Sequence, residues 1–332
     1  MIKYLNFKKA KRFSLEQVVP ALQKSKFFDK AERLLHCGSV SKFAMCVNCN
    51  TAHYAGSVSS CRDKFCPVCQ KKRSLLWLSK LIPVCNTLLD HNCHLNMITY
   101  TIRVSDGMSL KECLTILQNG FRYMSHDWKQ SAQIYNNLIL GGVRSLEVKV
   151  GEDRISHKLT GKWHPHFHIL VCTHGNVKYK ELHKILFELW NKSLQTVTGS
   201  SEEFCGSVNI RSIKPKDNQS LCDALSEVVK YMTKFDWQSD KVSELVTTLH
   251  KVRMQNTFGN FKYLISDLEI ERDMNKSYTE VAETFCAVCG SNEFVEGELF
   301  GYSNLQLFDL QHKQSDYLNL KDDDIVMGEE YD

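Results

Sequence analysis

Hydrophobic and polar positions alternate with a period of two in three segments in the middle of the chain, which predicts β-strands there. The segments are LNMITYTIRV (95–104), VRSLEVKV (143–150) and PHFHILVC (165–172), and apolar residues repeat every three to four positions over 109–140 and 178–195. The order strand, helix, strand, strand, helix is typical of an α+β fold with a ferredoxin-like or RRM-like antiparallel sheet flanked by helices. A further strand at 207–215 and a helix at 221–235 follow.

The N-terminal region has a different pattern. A helical repeat covers the first 36 residues, and a cysteine-dense stretch runs from Cys37 to Cys69 between short polar loops. A segment of about 30 residues with so little apolar surface does not fold by burial alone, and a structural metal supplies the missing stability. A basic amphipathic helix is predicted at 71–89.

Composition excludes several classes of protein. The 332 residues are 43% hydrophobic and 24% charged, with 5 Pro and 16 Gly, which describes a soluble globular chain rather than a fibrous or disordered one. The sequence has neither an apolar run of about 18 residues nor a signal-peptide pattern. We therefore expect a cytoplasmic protein without a membrane partner, whose 14 Cys are reduced and available for metal binding.

Charge is distributed unevenly although the net charge is only +4. Residues 1–80 carry 16 Lys and Arg against 4 Asp and Glu, whereas the last 18 residues carry 7 acids against Lys321. A basic front end is the usual footprint of a nucleic-acid partner, and the acidic tail, 314–332, is expected to be disordered.

The strand PHFHILV contains two histidines on one face. Alternation places His166 and His168 about 6–7 Å apart, close enough to bind one cation. Glu147, from the strand SLEVKV, is a candidate oxygen ligand. Two imidazoles and a carboxylate suit Mn²⁺ or Zn²⁺ and, when few ligands are needed, Mg²⁺. The alternative is a pair of histidines that simply faces solvent on a half-exposed sheet.

The helix at 221–235 separates an apolar face from a reactive one. At about 100° per residue, Glu227, Lys230, Tyr231 and Lys234 share one face, opposite a stripe of apolar residues. A tyrosine is a weak nucleophile at its ordinary pKa of about 10, so lysine charge and a metal on the attacked phosphate are the help it needs. An ordinary polar helix surface is the alternative interpretation.

Together these motifs resemble those of the plasmid rolling-circle replication initiators, the single-tyrosine Rep proteins of the HUH endonuclease superfamily. MITYTIRV (97–104) resembles the first motif of that family, RSLEVKV with HPHFHILV the second, and EVVKYMTK the third, in the family's order. The resemblance extends over roughly residues 37 to 268.

The resemblance implies a role for each motif residue. His166 and His168, with Glu147 as third ligand, would hold the catalytic Mn²⁺ or Mg²⁺, and Tyr231 would attack the scissile phosphate. That attack leaves a 5′-phosphotyrosine link and a free 3′-OH primer. Glu227 would assist the terminating cleavage and Lys234 would stabilise negative charge. Lys230, together with Lys71, Lys72 and Arg73, is a candidate DNA contact.

The cysteines allow two zinc assignments. The family pattern suggests one site from Cys37, Cys61, Cys66 and Cys69, which leaves CVNC and CAVCG for a second site from Cys46, Cys49, Cys286 and Cys289. The second site would tie the C-terminal segment to the zinc region. The simpler alternative is a single site from residues 46, 49, 66 and 69.

We therefore expect a zinc-binding basic region (1–90), an HUH DNA-nicking domain (91–270), a C-terminal segment docked on the zinc region (271–313) and the tail. The expected partners are origin DNA, as a hairpin or single-stranded nick site, and a host helicase and polymerase by resemblance. The oligomeric state is not predicted. Two alternatives stay open, a related HUH transposase or relaxase and a non-enzymatic zinc-ribbon DNA-binding regulator.

Overall fold

The computed structural model describes residues 13–37, 40–48, 52–57, 60–152, 159–173, 178–202, 205–214, 221, 224–225, 229, 239–265 and 294–300. The chain forms two compact units. One comprises Ser74–Glu269, and the other combines Tyr4–Arg73 with Ile270–Asp332. None of the helices in the described part of the chain is both long and apolar enough to cross a membrane.

The described residues form the α-helices and β-strands given below, together with two short π-helices at Ser14–Val18 and Tyr123–Asp127. The helices are α1 (Val19–Lys24), α2 (Phe28–Leu35), α3 (Pro67–Asp90), α4 (Leu110–Arg122), α5 (Lys129–Leu138), α6 (Tyr179–Thr198), α7 (Ser239–Leu249) and α8 (Phe261–Leu264). The strands are β1 (Val40–Cys46), β2 (Ala52–Ser57), β3 (His94–Ile102), β4 (Ile139–Glu147), β5 (Val150–Glu152), β6 (Leu159–Trp163), β7 (His166–Thr173), β8 (Gly206–Ile213), β9 (Gln255–Gly259) and β10 (Phe294–Phe300).

A five-stranded antiparallel sheet in the order β8-β3-β7-β4-β9 forms the centre of the larger unit. Its central strands are the three that the period-two pattern predicts, and α4 and α6 follow the predicted helical segments. The α+β fold class with an antiparallel sheet flanked by helices is therefore confirmed. Strand β9 and the small β5–β6 hairpin were not predicted.

One face of this sheet carries the aromatic core. Tyr100 and Phe167 are paired across β3 and β7, and their rings lie 6.0 Å and 5.7 Å from the ring of Phe121 on α4. Trp190 of α6 lies 5.0 Å from Tyr100. The guanidinium of Arg144 lies over the Phe121 and Phe167 rings, 4.9 Å and 4.5 Å from their centroids. Edge-to-face aromatic packing therefore holds the helices on this side.

A β-bulge near the start of β4 sets the register with β7. The pairing shifts between Ile139 and Gly141, after which Glu147 lies opposite His166. Gly141 has a φ of +155°, and a Cβ there would lie 2.7 Å from the backbone nitrogen of Asn260. Only glycine suits this backbone, because side chains are strained at that φ. The glycine thus permits the bulge that places Glu147 level with His166.

The outer edge of β8 is covered by side chains of α6. The hydroxyl of Tyr179 donates to the carbonyl of Ile210 at 2.7 Å, and Nε2 of His183 lies 3.0 Å from the carbonyl oxygen of Val208. These contacts occupy carbonyls that an added strand would use, so this edge of the sheet is protected.

The described residues of the predicted 221–235 helix have helical backbone at 221, 224, 225 and 229. Leu221, Leu225 and Val229 are buried, which agrees with the apolar face that the periodicity predicts. The hydroxyl of Ser74, near the start of α3, donates a 2.6 Å hydrogen bond to the carbonyl oxygen of Val229. The remaining residues of this helix lie outside the described part of the chain.

The smaller unit contains a three-stranded antiparallel sheet in the order β10-β1-β2. Polar loops were expected between the cysteines, so that expectation is wrong for β1 and β2, which pair with each other and, through β1, with the C-terminal β10. Cys46 lies opposite Phe294 in this pairing. Backbone hydrogen bonds between the paired strands stabilise them. The local apolar pattern is weak, so it did not predict these strands.

The limits of the predicted regions can be compared with these units. The predicted boundary at residue 90 coincides with the end of α3 at Asp90, while the compact units divide at Ser74, within that helix. The other predicted boundary, at residue 270, falls where the second unit resumes at Ile270. The predicted acidic tail lies outside the described residues.

Candidate functional site

Three side chains meet on the sheet face opposite the aromatic core. His166 and His168 alternate along β7, and the register with β4 brings Glu147 opposite His166. Cross-strand neighbours point to the same side of a sheet, so all three residues share one face. Their ligand atoms form a group in which every pair lies within 4.8 Å.

The contacts within this triad are short. Nε2 of His166 and Nε2 of His168 lie 2.9 Å and 2.8 Å from the same Oε2 of Glu147. The two imidazole nitrogens lie 3.1 Å apart. The side chain of Glu147 is 15% exposed and that of His166 only 3%. The three donor atoms thus converge on one point at a mostly buried position.

The other ring nitrogens fix how the imidazoles are oriented. Nδ1 of His166 lies 3.2 Å from the carbonyl oxygen of His164. A carbonyl oxygen only accepts, so Nδ1 of His166 carries the hydrogen and a neutral ring directs its Nε2 lone pair into the triad. Nδ1 of His168 lies 3.0 Å from Oγ1 of Thr99, which accepts its hydrogen when Nε2 acts as a ligand.

Burial and hydrogen bonding set the charge of the triad. Burial lowers the pKa of His166, so the ring is held in its neutral form. Burial raises the pKa of Glu147, but its contacts with the ring nitrogens of His166 and His168 outweigh that effect and hold the pKa of Glu147 below its usual range. The neutral imidazole and the ionised carboxylate are the forms in which these residues bind a cation.

The donor set fits a divalent cation. Bonds of about 2.1 Å in octahedral geometry place adjacent ligand atoms about 3.0 Å apart, close to the 2.8–3.1 Å separations of the triad atoms. Three adjacent positions would be filled by the protein and three would remain for substrate oxygens and water. Two imidazoles with one carboxylate suit Mn²⁺, and Mg²⁺ when few protein ligands are used.

A second group of ligand atoms belongs to the smaller unit. The sulfur atoms of Cys37, Cys61, Cys66 and Cys69 lie within 4.8 Å of one another. Sγ of Cys69 is 3.6 Å from Sγ of both Cys37 and Cys61, and Sγ of Cys66 is 3.5 Å from Sγ of Cys37. Tetrahedral zinc with Zn–S bonds of about 2.3 Å separates its sulfurs by about 3.8 Å. The four thiols therefore fit a structural zinc.

Backbone N–H groups point at these sulfurs. The amides of Cys61, Arg62 and Asp63 donate to Cys37, Cys69 and Cys61 over 3.4 Å, 3.2 Å and 3.4 Å respectively. Within the cluster, hydrogen bonds with the other cysteines, that with Cys37 the largest, lower the pKa of Cys69, whereas the hydrogen bond with Cys37 raises the pKa values of Cys61 and Cys66. Backbone N–H donors stabilise thiolates, the form in which cysteine binds zinc.

The neighbouring helices brace the cysteine loop. Ser14 donates to the carbonyl oxygen of Phe65 over 2.7 Å, and Nζ of Lys30 lies 3.3 Å from Oδ2 of Asp63. The guanidinium of Arg73, a predicted DNA contact, donates to the carbonyl oxygen of Arg62 over 3.1 Å. The guanidinium of Arg73 thus helps to hold the cysteine loop in place.

Several predicted site residues lie outside the described part of the chain. They are Tyr231, Glu227, Lys234 and Lys230, together with Cys49, Cys286 and Cys289. For Cys46 and Lys71 the structure describes the backbone but not the side chain, and Lys72 is half-buried. Their assigned roles stay predictions. The single-site alternative with residues 46, 49, 66 and 69 uses only two of the four clustered cysteines, Cys66 and Cys69, and leaves out Cys37 and Cys61.

Sequence reasoning missed two supporting residues. Thr99 was placed on a strand but given no role, although it is a polar residue in an apolar strand and register pairs it with His168. Ser74 lies in a helix that was predicted only as basic and amphipathic. Neither contact leaves a signal in local sequence, because each depends on pairing across more than 60 residues.

Fold and site together define an α+β protein with a cluster of two histidines and one carboxylate on one face of an antiparallel sheet. The sequence model of the family described as Replication protein matches residues 54–292, well over half of the 332 residues. The chain therefore belongs to the Replication protein family, and its recognition as a replication protein from the motifs is confirmed.

Two curated proteins are similar to this chain in sequence. A Protein rep from Bacillus sp. is 26% identical over 196 residues, which cover 56% of this chain and 56% of that protein. A Protein rep from Lentilactobacillus hilgardii is 25% identical over 255 residues, 74% of this chain and 77% of that protein. The chain thus spans little more than half of the first relative. No solved structure matches.

Proposed function

We propose that this protein initiates plasmid replication by nicking one DNA strand at the origin. The observation that carries the proposal is the convergence of Glu147, His166 and His168 on one point in a chain that belongs to the Replication protein family. Two neutral imidazoles and a carboxylate on one sheet face are the ligands a phosphate-binding cation needs. A divalent cation bound there would polarise the scissile phosphate and fix its orientation.

Tyr231 is the proposed nucleophile. Its phenolic oxygen attacks the phosphorus, the bond to the 3′ oxygen breaks, and the departing oxygen takes up a proton to become the 3′-OH primer. The phosphate stays linked to the tyrosine through its 5′ side. The energy of the phosphodiester is kept in that link, so no nucleoside triphosphate is consumed in the step.

The neighbouring polar residues of the motif complete the cycle. Lys234 stabilises the phenolate or the phosphate charge, and Lys230 contacts DNA. Glu227 activates water for the terminating cleavage, which lets a protein with a single reactive tyrosine release its product. The support for these roles is the helical periodicity and the family motif.

The four thiols of Cys37, Cys61, Cys66 and Cys69 are the proposed structural zinc site. We keep a second zinc site from Cys46, Cys49, Cys286 and Cys289 as a proposal, which the pairing of Cys46 with Phe294 supports, because β10 begins five residues after Cys289. The proposed partners are origin DNA and a host helicase and polymerase.

The decisive experiment is nicking of supercoiled DNA that carries the coding sequence of this chain and its flanks. We expect conversion to open circles that requires Mn²⁺ or Mg²⁺ and leaves protein covalently attached to the DNA. His166→Ala should abolish it, while His126→Ala, which removes an exposed histidine beside Asp127, should not. Tyr231→Phe should form no adduct.

The same assay separates the alternatives. A zinc-ribbon regulator would bind the DNA without cutting it. A nick that persists in Tyr231→Phe, or in protein stripped of divalent cations, would contradict the proposed chemistry.

A further inference from the structure

A buried hydrogen bond connects α3 to the described backbone just before the proposed nucleophile. The hydroxyl of Ser74 donates to the backbone carbonyl of Val229 with an Oγ to O distance of 2.6 Å. Both residues are buried and belong to the same compact unit, although 155 positions separate them. Val229 precedes Tyr231 by two residues.

The hydroxyl of Ser74 does not bond within its own helix. A serine within a helix commonly bonds a carbonyl of the preceding turn. Ser79 of the same helix does so, with its hydroxyl 2.9 Å from the carbonyl oxygen of Leu76. Ser74 instead directs its hydroxyl to another segment of the chain.

Packing alone locates the motif helix loosely. Leu221, Leu225 and Val229 are buried at a spacing of four residues, which keeps one side of the helix in the core. Apolar contacts are not directional, so they tolerate small rotations and slides of a helix. A hydrogen bond depends steeply on distance and angle. It therefore fixes both the rotation of a helix about its axis and its position along that axis.

We propose that Ser74 is a positioning residue for Tyr231, an inference that rests on the proposed function. On a continuous helix, Tyr231 and Glu227 are each about 200° from Val229, on the side opposite the anchored carbonyl. A rotation about Val229 would therefore turn both groups. Ser74 resists that rotation from the buried side without touching DNA or cation.

Loss of the hydrogen bond between Ser74 and Val229 should slow the covalent step specifically. Displacement of a reacting group by about 1 Å can cost about 100-fold in rate. We expect Ser74→Ala to lower the rate of adduct formation about 10- to 100-fold. The affinity for Mn²⁺ should stay within about twofold, because Glu147, His166 and His168 lie on the sheet and do not move with the helix.

The test uses the full chain and overlapping single-stranded oligonucleotides that cover its coding sequence and flanks. Single-turnover adduct formation is measured at saturating protein for the oligonucleotide that reacts with the unaltered chain. Ser74→Cys keeps the volume but donates weakly, so it should resemble Ser74→Ala, whereas Ser74→Thr keeps the hydroxyl and should restore most of the rate. Ser79→Ala is the matched control and should react like the unaltered chain.

The outcomes separate the two proposals. If the unaltered chain forms an adduct and folded Ser74→Ala and Ser74→Cys proteins react at the same rate, the positioning role is wrong while the proposed function stands. A loss of rate accompanied by an equal loss of Mn²⁺ affinity would mean general destabilisation and would also overturn this inference. If the unaltered chain forms no adduct with any oligonucleotide, the proposed function itself fails.

Discussion

Thr99 and His168 face each other across β3 and β7, with Oγ1 of Thr99 3.0 Å from Nδ1 of His168. This contact holds the imidazole so that Nε2 points at Glu147, 2.8 Å away. A polar residue on the neighbouring strand thus orients a proposed cation ligand, as hydrogen-bond partners of metal-binding histidines commonly do.

Thr99→Val should weaken cation binding at the triad. Valine keeps the shape but removes the acceptor for Nδ1–H, and loss of such a partner typically costs about 10- to 100-fold in metal affinity. Titration calorimetry with Mn²⁺ measures the change. Thr101→Val is the control, because Thr101 lies on the same strand and sheet face but its hydroxyl bonds Ser207. Equal affinities for all three proteins would contradict the orienting role of Thr99.

Zinc content distinguishes the cysteine assignments. We expect two zinc ions per chain by elemental analysis, one of which is lost in Cys286→Ser/Cys289→Ser. Cys61→Ser/Cys69→Ser should lose the other ion and destabilise the smaller unit, because structural zinc binding contributes directly to folding. One zinc per chain, unchanged by the substitutions at 286 and 289, would rule out the second site.

Glu244 joins three elements of the larger unit. Its Oε2 accepts from Nε1 of Trp163 over 2.9 Å, and its Oε1 accepts from the amide of Leu110 over 2.6 Å. Glu244→Gln keeps the size but replaces one acceptor with a donor, which leaves a buried N–H unpaired. We expect a loss of about 1–3 kcal/mol in the free energy of unfolding, measured by urea denaturation. Glu188→Gln, at an exposed position of α6, should cost little.

Cys85 should be unreactive in the folded chain. Burial raises the pKa of Cys85 to about 12. The reactive thiolate is then roughly one part in ten thousand at pH 8, and its population rises tenfold per pH unit up to the pKa. Iodoacetamide at pH 8 followed by mass spectrometry should label the half-buried Cys205 and leave Cys85 unlabelled until the protein is denatured. Rapid labelling of Cys85 in the native protein would show that its burial is wrong.

Local sequence predicted the strands that carry the cation triad because their alternation is strong. The alternation in β3, β4 and β7 gives both the strand positions and the faces, so His166 and His168 could be placed together without a structure. Glu147 was a weaker choice, since its distance from His166 depends on the pairing of β4 with β7 and on the bulge at Gly141.

Long-range pairing explains what the sequence did not reveal. Strands β1 and β10 are almost 250 residues apart in the chain and pair over seven positions. Neither shows the clean period-two alternation of β3 or β7, and the stability of each comes from its partner. The Cys37 cluster was selected by the family pattern, since spacing alone left the pairs at 46/49 and 66/69 equally acceptable.

The glycine bulge makes the length of β4 as important as its composition. Between Gly142 and Glu147 each residue alternates between the helix-covered face and the face with the histidines. Deleting one residue from this stretch would move Glu147 opposite Phe167, among the aromatic rings, and would remove the carboxylate from the cation site. We therefore expect natural relatives to tolerate no insertion or deletion in this stretch, so the length of the strand is an inherited property of the site just as its side chains are.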